Sequence, residues 1–511
     1  MTRRELVFSA AGDAGQVFAA LSSRYTVNAA PATSGSWTCL DTPDWLLHRA
    51  GLTLRDARSG RKAELVLGGA DAGGDPLIEQ ARVRAWPASV AALPPCQLRE
   101  RVAAAVGVRA LVPMAQVDVR SIPMSILDAD DKTLVRVRVD QQRLHGKGNQ
   151  PLPLRVLITA LRGYEDDAGR CAALLTASLP QLETSDATAT IAMTVAGHEP
   201  GRETVPRIEL DPTAPAAQSV ARVLHRLIDV ATTVVPGVMA DIDPEYLHDL
   251  RTSLRATRSV LGQAGDVLPS AQVEAFGDEF QWLASLTSPV RDLDVLLLML
   301  TGHDATQIGD LDALAPLTRY LTTRRTRVLR TLRDGLESAR YGQLIANWRT
   351  TLAQAEVSGP ATAPLTAPFI AELAQHAYHR IRTEAEGVTA QTAATELHQL
   401  RKHCKQMRYL LDGFATGYSP APLRRTLKVL KRLQDSLGSI QDSTVQRAIL
   451  TGAATALAGR GTGAETMLQI GALRDRIAEC DAAGREDLVE RLVAFCGKTG
   501  RANARALERR T

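Results

Sequence analysis

The feature that most constrains this chain is an internal repeat. His248, Arg251, Arg255 and Arg258 stand at offsets 0, 3, 7 and 10 in HDLRTSLRATR, and His398, Arg401, Lys405 and Arg408 stand at the same offsets in HQLRKHCKQMR. The shift is 398 − 248 = 150 residues, and Asp442 of QDST follows Asp292 of RDLD by the same 150. Upstream, Gly237 meets Gly387 at that shift. Self-similarity at a fixed period marks a duplicated structural unit. At about 100° per residue the four offsets fall within an arc of roughly 80° and climb about 15 Å of helix axis. Leu250, Leu254 and Leu261 lie on another face, and Leu400, Cys404 and Leu411 fill the same slots in the second copy. One face packs a bundle while the other carries charge.

A row of cations is commonly a solvated helix face. Such a face is usually supported by acids at i+4, and on this reading neither stripe contains one. Two uncompensated rows, each led by histidine, therefore point to an anion that neutralises them. Arginine offers a planar fork for two phosphate oxygens and lysine a compact charge. Histidine gains charge near neutral pH, and a phosphate beside it favours the protonated form. A chain of phosphates asks for several such side chains in a row, and the release of its counterions makes binding salt-dependent. Asp292 and Asp442 are the acidic exceptions, with orientation of a basic residue on a facing helix as the expected role and capping as the alternative.

The rest of the chain sets the context. At 511 residues it is too long for a single core. Residues 1–196 read as β-rich: RELVF, AELVL, ARVRA, AQVDVR, TLVRVRVD and LRVLITAL alternate or run β-branched between turns such as GGADAGGD, with a helix expected at Asp166–Leu179. Residues 197–214 read as a linker, the stretch HEPGRETVPRIELDPTAP that runs on to Pro215 having four prolines. From there the spacing is helical over 215–505, with repeats at about 215–360 and 365–500. Asp243, Pro244 and Glu245 form a helix start, and Pro236-Gly237, Pro269 and Gly417 read as stops. Short connections, with a longer one at VSGPATAPLTAP, fit antiparallel bundles.

The net charge of +4 averages over clusters at Arg319–Arg333 and Arg401–Lys431, which a polyanion feels locally. Aromatic residues make up only 4%, which weakens any model that stacks bases. The six cysteines are scattered without a CxxC pair and read as reduced thiols rather than zinc ligands. MTRRELVFSA lacks a signal-peptide core, and no uncharged apolar run reaches membrane-spanning length. A soluble, cytoplasmic protein with no membrane partner is expected.

The motifs HDLR followed by VRDLDVLL, then LHQLRKHCKQMRYLLDGF and LKRLQDSLGSIQD, closely resemble the CHAD (conserved histidine α-helical) domain. The resemblance covers roughly residues 215–500. It implies two pseudo-symmetric four-helix bundles around a basic groove or pore for inorganic polyphosphate. By motif position, His248, Arg251, Arg255, Arg258, His398, Arg401, Lys405 and Arg408 would line it, with Arg325 and Lys431 as additions from neighbouring helices.

In the first half, LDTPDWLLHRAGLTLRD and LRVLITALRGYEDDAGRCAALL resemble the CYTH, or triphosphate tunnel metalloenzyme, fold, which implies an antiparallel, tunnel-like β-barrel with helices. Active members carry an acidic ExExK strand and further acids, because hard cations need several carboxylate oxygens. Here the first strand is RRELVF with Glu5 alone, and the late strand LRVLITAL has no acid. Arg55, Arg120 and Arg138 are candidates to face a tunnel.

The expected molecule is an α+β domain followed by an all-α domain that binds polyphosphate, associated with polyphosphate granules. Its first domain is expected to be catalytically inactive, with no catalytic residues, no metal and no cofactor. A metal-dependent triphosphatase and a non-specific nucleic-acid binder are the alternatives, and oligomeric state is open.

Overall fold

The computed structural model describes residues 3–9, 12–60, 62–69, 77–83, 89–146, 149–180, 188–201, 208–263, 267–301, 310–357 and 364–507. The chain divides into two units, Met1–Glu203 and Thr204–Thr511. Most of GGADAGGD, the middle of VSGPATAPLTAP and GRETVPR's RETVPR lie outside the described residues.

In the first unit the alternating segments form β1 (Arg3–Phe8), β2 (Thr26–Ala29), β3 (Thr33–Asp41), β4 (Leu52–Ser59), β5 (Lys62–Gly69), β6 (Leu77–Arg82), β7 (Val112–Leu127), β8 (Thr133–Leu144) and β9 (Leu154–Ala160). They make one antiparallel sheet in the order β1-β9-β8-β7-β3-β4-β5-β6, with β2 also on β7. Its helices are α1 (Ala14–Ser22), α2 (Leu46–Arg49), α3 (Gln97–Val106), α4 (Glu165–Ser178) and α5 (Thr188–Val195).

Period-2 alternation gives the sheet two chemically different faces. On one, Val135, Val137, Val139, Val156 and Ile158 pack under α1 and α4. Leu54, Leu65 and Leu67 pack with α2 and α3 on the same side. The other face carries Glu5, Arg138, Asp140 and Arg155 at paired register positions. Its far end is filled by Trp37, Cys39, Val117 and Leu144 against Met193 of α5.

The second unit is helical: α6 (Ala216–Ala240), α7 (Pro244–Leu261), α8 (Ser270–Thr301), α9 (Ala315–Glu337), α10 (Ala339–Val357), α11 (Thr366–Ala385), α12 (Ala394–Gly413), α13 (Pro420–Ala458), α14 (Ala464–Cys496) and α15 (Lys498–Arg505). The start of α7 is as its sequence dictates, with the Asp243 side chain accepting from the N–H groups of Glu245 and Tyr246 ahead of Pro244. Leu250, Leu254, Leu261, Leu400, Cys404 and Leu411 are all buried in one cluster that joins both copies. A second cluster brings the C-terminal half of α8 together with α9, α13 and α14.

Pro236 does not stop its helix, contrary to the sequence reading: α6 continues to Ala240, and Asp241 closes it in the left-handed conformation. Burial of Ala217, Val220, Leu224 and Ile228 outweighs the hydrogen bond that the proline removes. Gly237 is there for close approach, since a Cβ would fall 2.1 Å from the Tyr246 ring. Its counterpart Gly387 has open space and φ +89°, so the repeated glycine performs a different task in each copy. Although α6 is long and apolar enough for a membrane span, its apolar face is core to this bundle.

Candidate functional site

Helix α12 packs directly on α7, so the two duplicated segments meet. Between them and α8 lies a cavity of about 640 Å³. Arg251, Arg255 and Arg258 line it from α7, and Arg401, Lys402 and Lys405 from α12. His398, Gln406 and Tyr409 complete the α12 wall. Helix α8 supplies Gln281, Ser285, Thr287 and Ser288, together with Asp278, the only carboxylate among the described lining residues.

The α7 row grades from interior to solvent. Arg251 is buried, Arg255 half-buried and Arg258 exposed. Arg251 reaches across to α8, where its Nη1 donates to Ser288 Oγ at 2.7 Å and Thr287 Oγ1 at 3.2 Å. Those hydroxyls also donate to the carbonyl of Ala284, so they present lone pairs to the guanidinium. On α12, Arg401 Nη2 donates to Asp442 of α13 at 3.2 Å, while its buried Nε has no partner. Asp292 stands near Arg251, Arg255 and Arg401, and burial raises its carboxyl above the usual range, helped by the like charge of Asp442.

The crowding of cations shows in their acidities. Burial, then the neighbouring Arg255 charge, lowers Arg251 to about 10. The same two causes lower Arg258, and burial lowers Arg401. Lys405 falls to about 7 through burial and the charges of Arg255 and Arg401. Such crowding disfavours the charged form of each member of the cluster.

Four of the residues expected in the groove do not line this cavity. His248 stands to one side, pushed below the ordinary histidine range by desolvation and the charge of Arg291. Its repeat partner His398 lines the cavity and places Nδ1 2.6 Å from Gln441 Oε1. Arg408 is held by Gln434 and by Asp412 four residues on, which corrects the expectation that neither stripe has an i+4 acid. Arg325 is clamped between Asp241 and Asp294, and Lys431 is exposed on α13. Sequence reasoning missed Lys402, Gln406 and Tyr409, which are off the stripe's arc, and the α8 hydroxyls. Ser288 is one turn before the motif aspartate Asp292, but only the packing of α7 on α8 shows what it meets.

Residues 222–451 match the family model for the CHAD domain. This span is a CHAD domain. Among solved structures, the CHAD domain from the plant Ricinus communis is similar at 23% identity and TM-score 0.49, over 57% of this chain and 95% of that one. PptA from Streptomyces chartreusis is similar at 19% identity and TM-score 0.43, over 54% and 99%. A Hippeastrum protein described as an adenylyl cyclase with a dominant triphosphatase activity is similar at 12% identity and TM-score 0.25, over 36% and 90%. No curated protein matches the chain.

In the first unit, Glu5 is taken up by Arg155 of β9, and both side chains are largely buried. Asp140 accepts from Arg138 and Ser121. Arg55 and Arg138 share this face, Arg55 lying over the Trp37 ring at 5.6 Å, whereas Arg120 pairs with Gln141 on the other. Among the described residues no three His, Cys, Asp or Glu side chains gather as metal ligands do.

Proposed function

We propose that the CHAD domain binds inorganic polyphosphate in the cavity between α7, α8 and α12. The observation that carries this reading is the convergence of Arg251, Arg255, Arg258, Arg401, Lys402 and Lys405, drawn from both copies of the repeat, on one space. Their mutual repulsion and desolvation are offset when a polyanion enters, and arginine forks suit phosphate oxygens. The shortage of aromatic lining, Tyr409 apart, favours a bare phosphate chain over stacked bases. Association with polyphosphate granules in the cytoplasm belongs to the same reading.

The first unit is read as catalytically inactive, because Glu5 is committed to Arg155 and is not available to a divalent cation. Release of phosphate from tripolyphosphate with magnesium or manganese would restore the triphosphatase reading.

Calorimetric titration of the full chain with long-chain polyphosphate tests the cavity. Joint replacement of Arg251, Arg255, Arg401 and Lys405 by Ala is expected to abolish binding. Undiminished affinity in that variant rejects the site, and nucleic acid that displaces polyphosphate at equal phosphate concentration rejects the ligand.

A further inference from the structure

The cavity absorbs the repeated cations but leaves the basic run at Arg319–Arg333 unexplained. That run is on α9, whose Leu317, Leu321, Leu329 and Leu332 are buried. Arg325 points inward to its carboxylate partners. Arg319, Arg324, Arg327 and Arg330 are exposed. At 100° per residue they share an arc of about 140° opposite the leucines and extend about 17 Å along the axis.

These four have no ion pair among the described residues, unlike several other arginines of their unit. Arg340 pairs with Glu279, Arg349 with Asp229, Arg485 with Asp481 and Arg491 with Asp487. The helix in the corresponding place of the second copy, α14, interleaves its signs as Arg474, Asp475, Arg476, Glu479 and Asp481. From Ala315 to Arg333, α9 contains no acid at all. A bundle therefore does not need an acid-free outer stretch here, and the exposed acids on the same arc of α9, Asp334 and Glu337, come only after it. The Arg324–Arg327 and Arg327–Arg330 spacings set like charges at i,i+3, which disfavours the helix.

Between the arginines, Thr323, Thr326 and Thr331 turn their hydroxyls back onto carbonyls one turn earlier. Their donors are already used, and their short side chains leave a low surface above which the guanidinium forks project. The one aromatic residue on this arc, Tyr320, is half-buried with the Arg460 guanidinium 5.7 Å from its ring centre, so the surface fits a phosphate backbone better than a run of stacked bases.

We infer that the outer face of α9 is a second contact track for the same long polyphosphate chain whose other segment occupies the cavity. This inference rests on the cavity reading for its choice of ligand. A polymer held at one site meets a second at high effective concentration, so two modest contacts multiply into an affinity that grows with chain length. A short phosphate oligomer that fills the cavity gains nothing from the track.

The test compares tripolyphosphate with long-chain polyphosphate on the full chain carrying Arg319, Arg324, Arg327 and Arg330 all →Gln, a change that retains helix propensity. Affinity for the long chain should fall at least about tenfold, and its log–log salt slope should shrink by roughly three, at 0.7–0.9 per lost contact. Tripolyphosphate affinity should stay within about twofold of wild type. Equal losses on both ligands, or none on either, overturn the track. So does duplex DNA binding more tightly than polyphosphate through these arginines at equal phosphate concentration. A cavity variant (R251A with R401A) that keeps long-chain binding while the track variant loses it would reject the cavity instead.

Discussion

Arg251 donates to Ser288 at 2.7 Å, and 150 residues later the corresponding pair is Arg401 and Gly438, a residue with no side chain to accept. The duplicated arginines are thus held differently, one by hydroxyls on α8 and the other by the Asp442 carboxylate. A Cβ at Gly438 would lie 3.9 Å from Arg401 Nη2, in ordinary contact. Ser288→Ala should free the Arg251 fork and weaken polyphosphate binding about three- to tenfold, from a charged hydrogen bond worth roughly 1.5–3 kcal/mol with Thr287 still in place. Gly438→Ser should raise stability by about 0.5 kcal/mol by removing a glycine from the interior of α13. Calorimetry and urea unfolding read the two effects. A Ser288→Ala protein that binds as well as wild type would show that the hydroxyls merely fill space.

Much of this architecture was legible because each signal was local. The Asp243 cap, the leucine slots at Leu250 and Leu400, and the alternation of TLVRVRVD depend only on nearby residues and a single period. What could not be read were relations across elements. Pro236 looks like a stop until the burial of α6 is known, and Arg408 looks like a ligand until Asp412 is seen to hold it. Arg325 is the clearest case. Its charge suited a phosphate groove, but its partners Asp241 and Asp294 are 84 and 31 residues away and have no periodic mark. The hydroxyl wall of α8 was hidden for the same reason.

Lys405 should make anion binding proton-linked. In the free protein it titrates at about 7, so a large share is neutral at physiological pH. A bound phosphate chain favours the ammonium form, so binding takes up a proton. Affinity should therefore rise as pH falls from 8 to 6, and Lys405→Arg should flatten that profile. Its effect on folding has the opposite direction. The folded value lies below the unfolded one of 10.5, so between about 7 and 10.5 the unfolded chain binds more protons and ligand-free stability should increase with pH. Binding enthalpies in buffers of different ionisation heat, with thermal unfolding at pH 7 and 9, check both signs. A proton count of zero at pH 7 contradicts the depressed lysine.

The same lysine should be unusually reactive. A neutral amine forms an imine with an aldehyde, and pyridoxal phosphate carries both the aldehyde and a phosphate that Arg251, Arg255 and Arg401 would hold nearby. Borohydride reduction after brief exposure at pH 7 should label Lys405 well ahead of exposed lysines such as Lys431, and saturating polyphosphate should protect it. Peptide mapping decides the matter. Labelling of Lys431 at the same rate, or labelling indifferent to polyphosphate, would count against a cavity lysine poised near neutrality.

Arg325 should be a stability residue with no part in binding. It donates to Asp241 through Nη1 and Nη2 and to Asp294 through Nε, and these contacts hold its pKa far above the ordinary arginine range. Asp294 is only 3% exposed, and burial raises its carboxyl despite the arginine. Removing the cation leaves that carboxylate uncompensated in the interior, at a cost of about 3–5 kcal/mol for a broken buried pair. Arg325→Ala should accordingly unfold at markedly lower urea. The deficit should narrow as pH falls, because protonation of Asp294 in the folded variant removes the buried charge, and adding Asp294→Asn should recover part of it. Polyphosphate affinity of the folded variant should stay within about twofold of wild type. A large loss of affinity at unchanged stability would return Arg325 to the groove in which its sequence position first placed it.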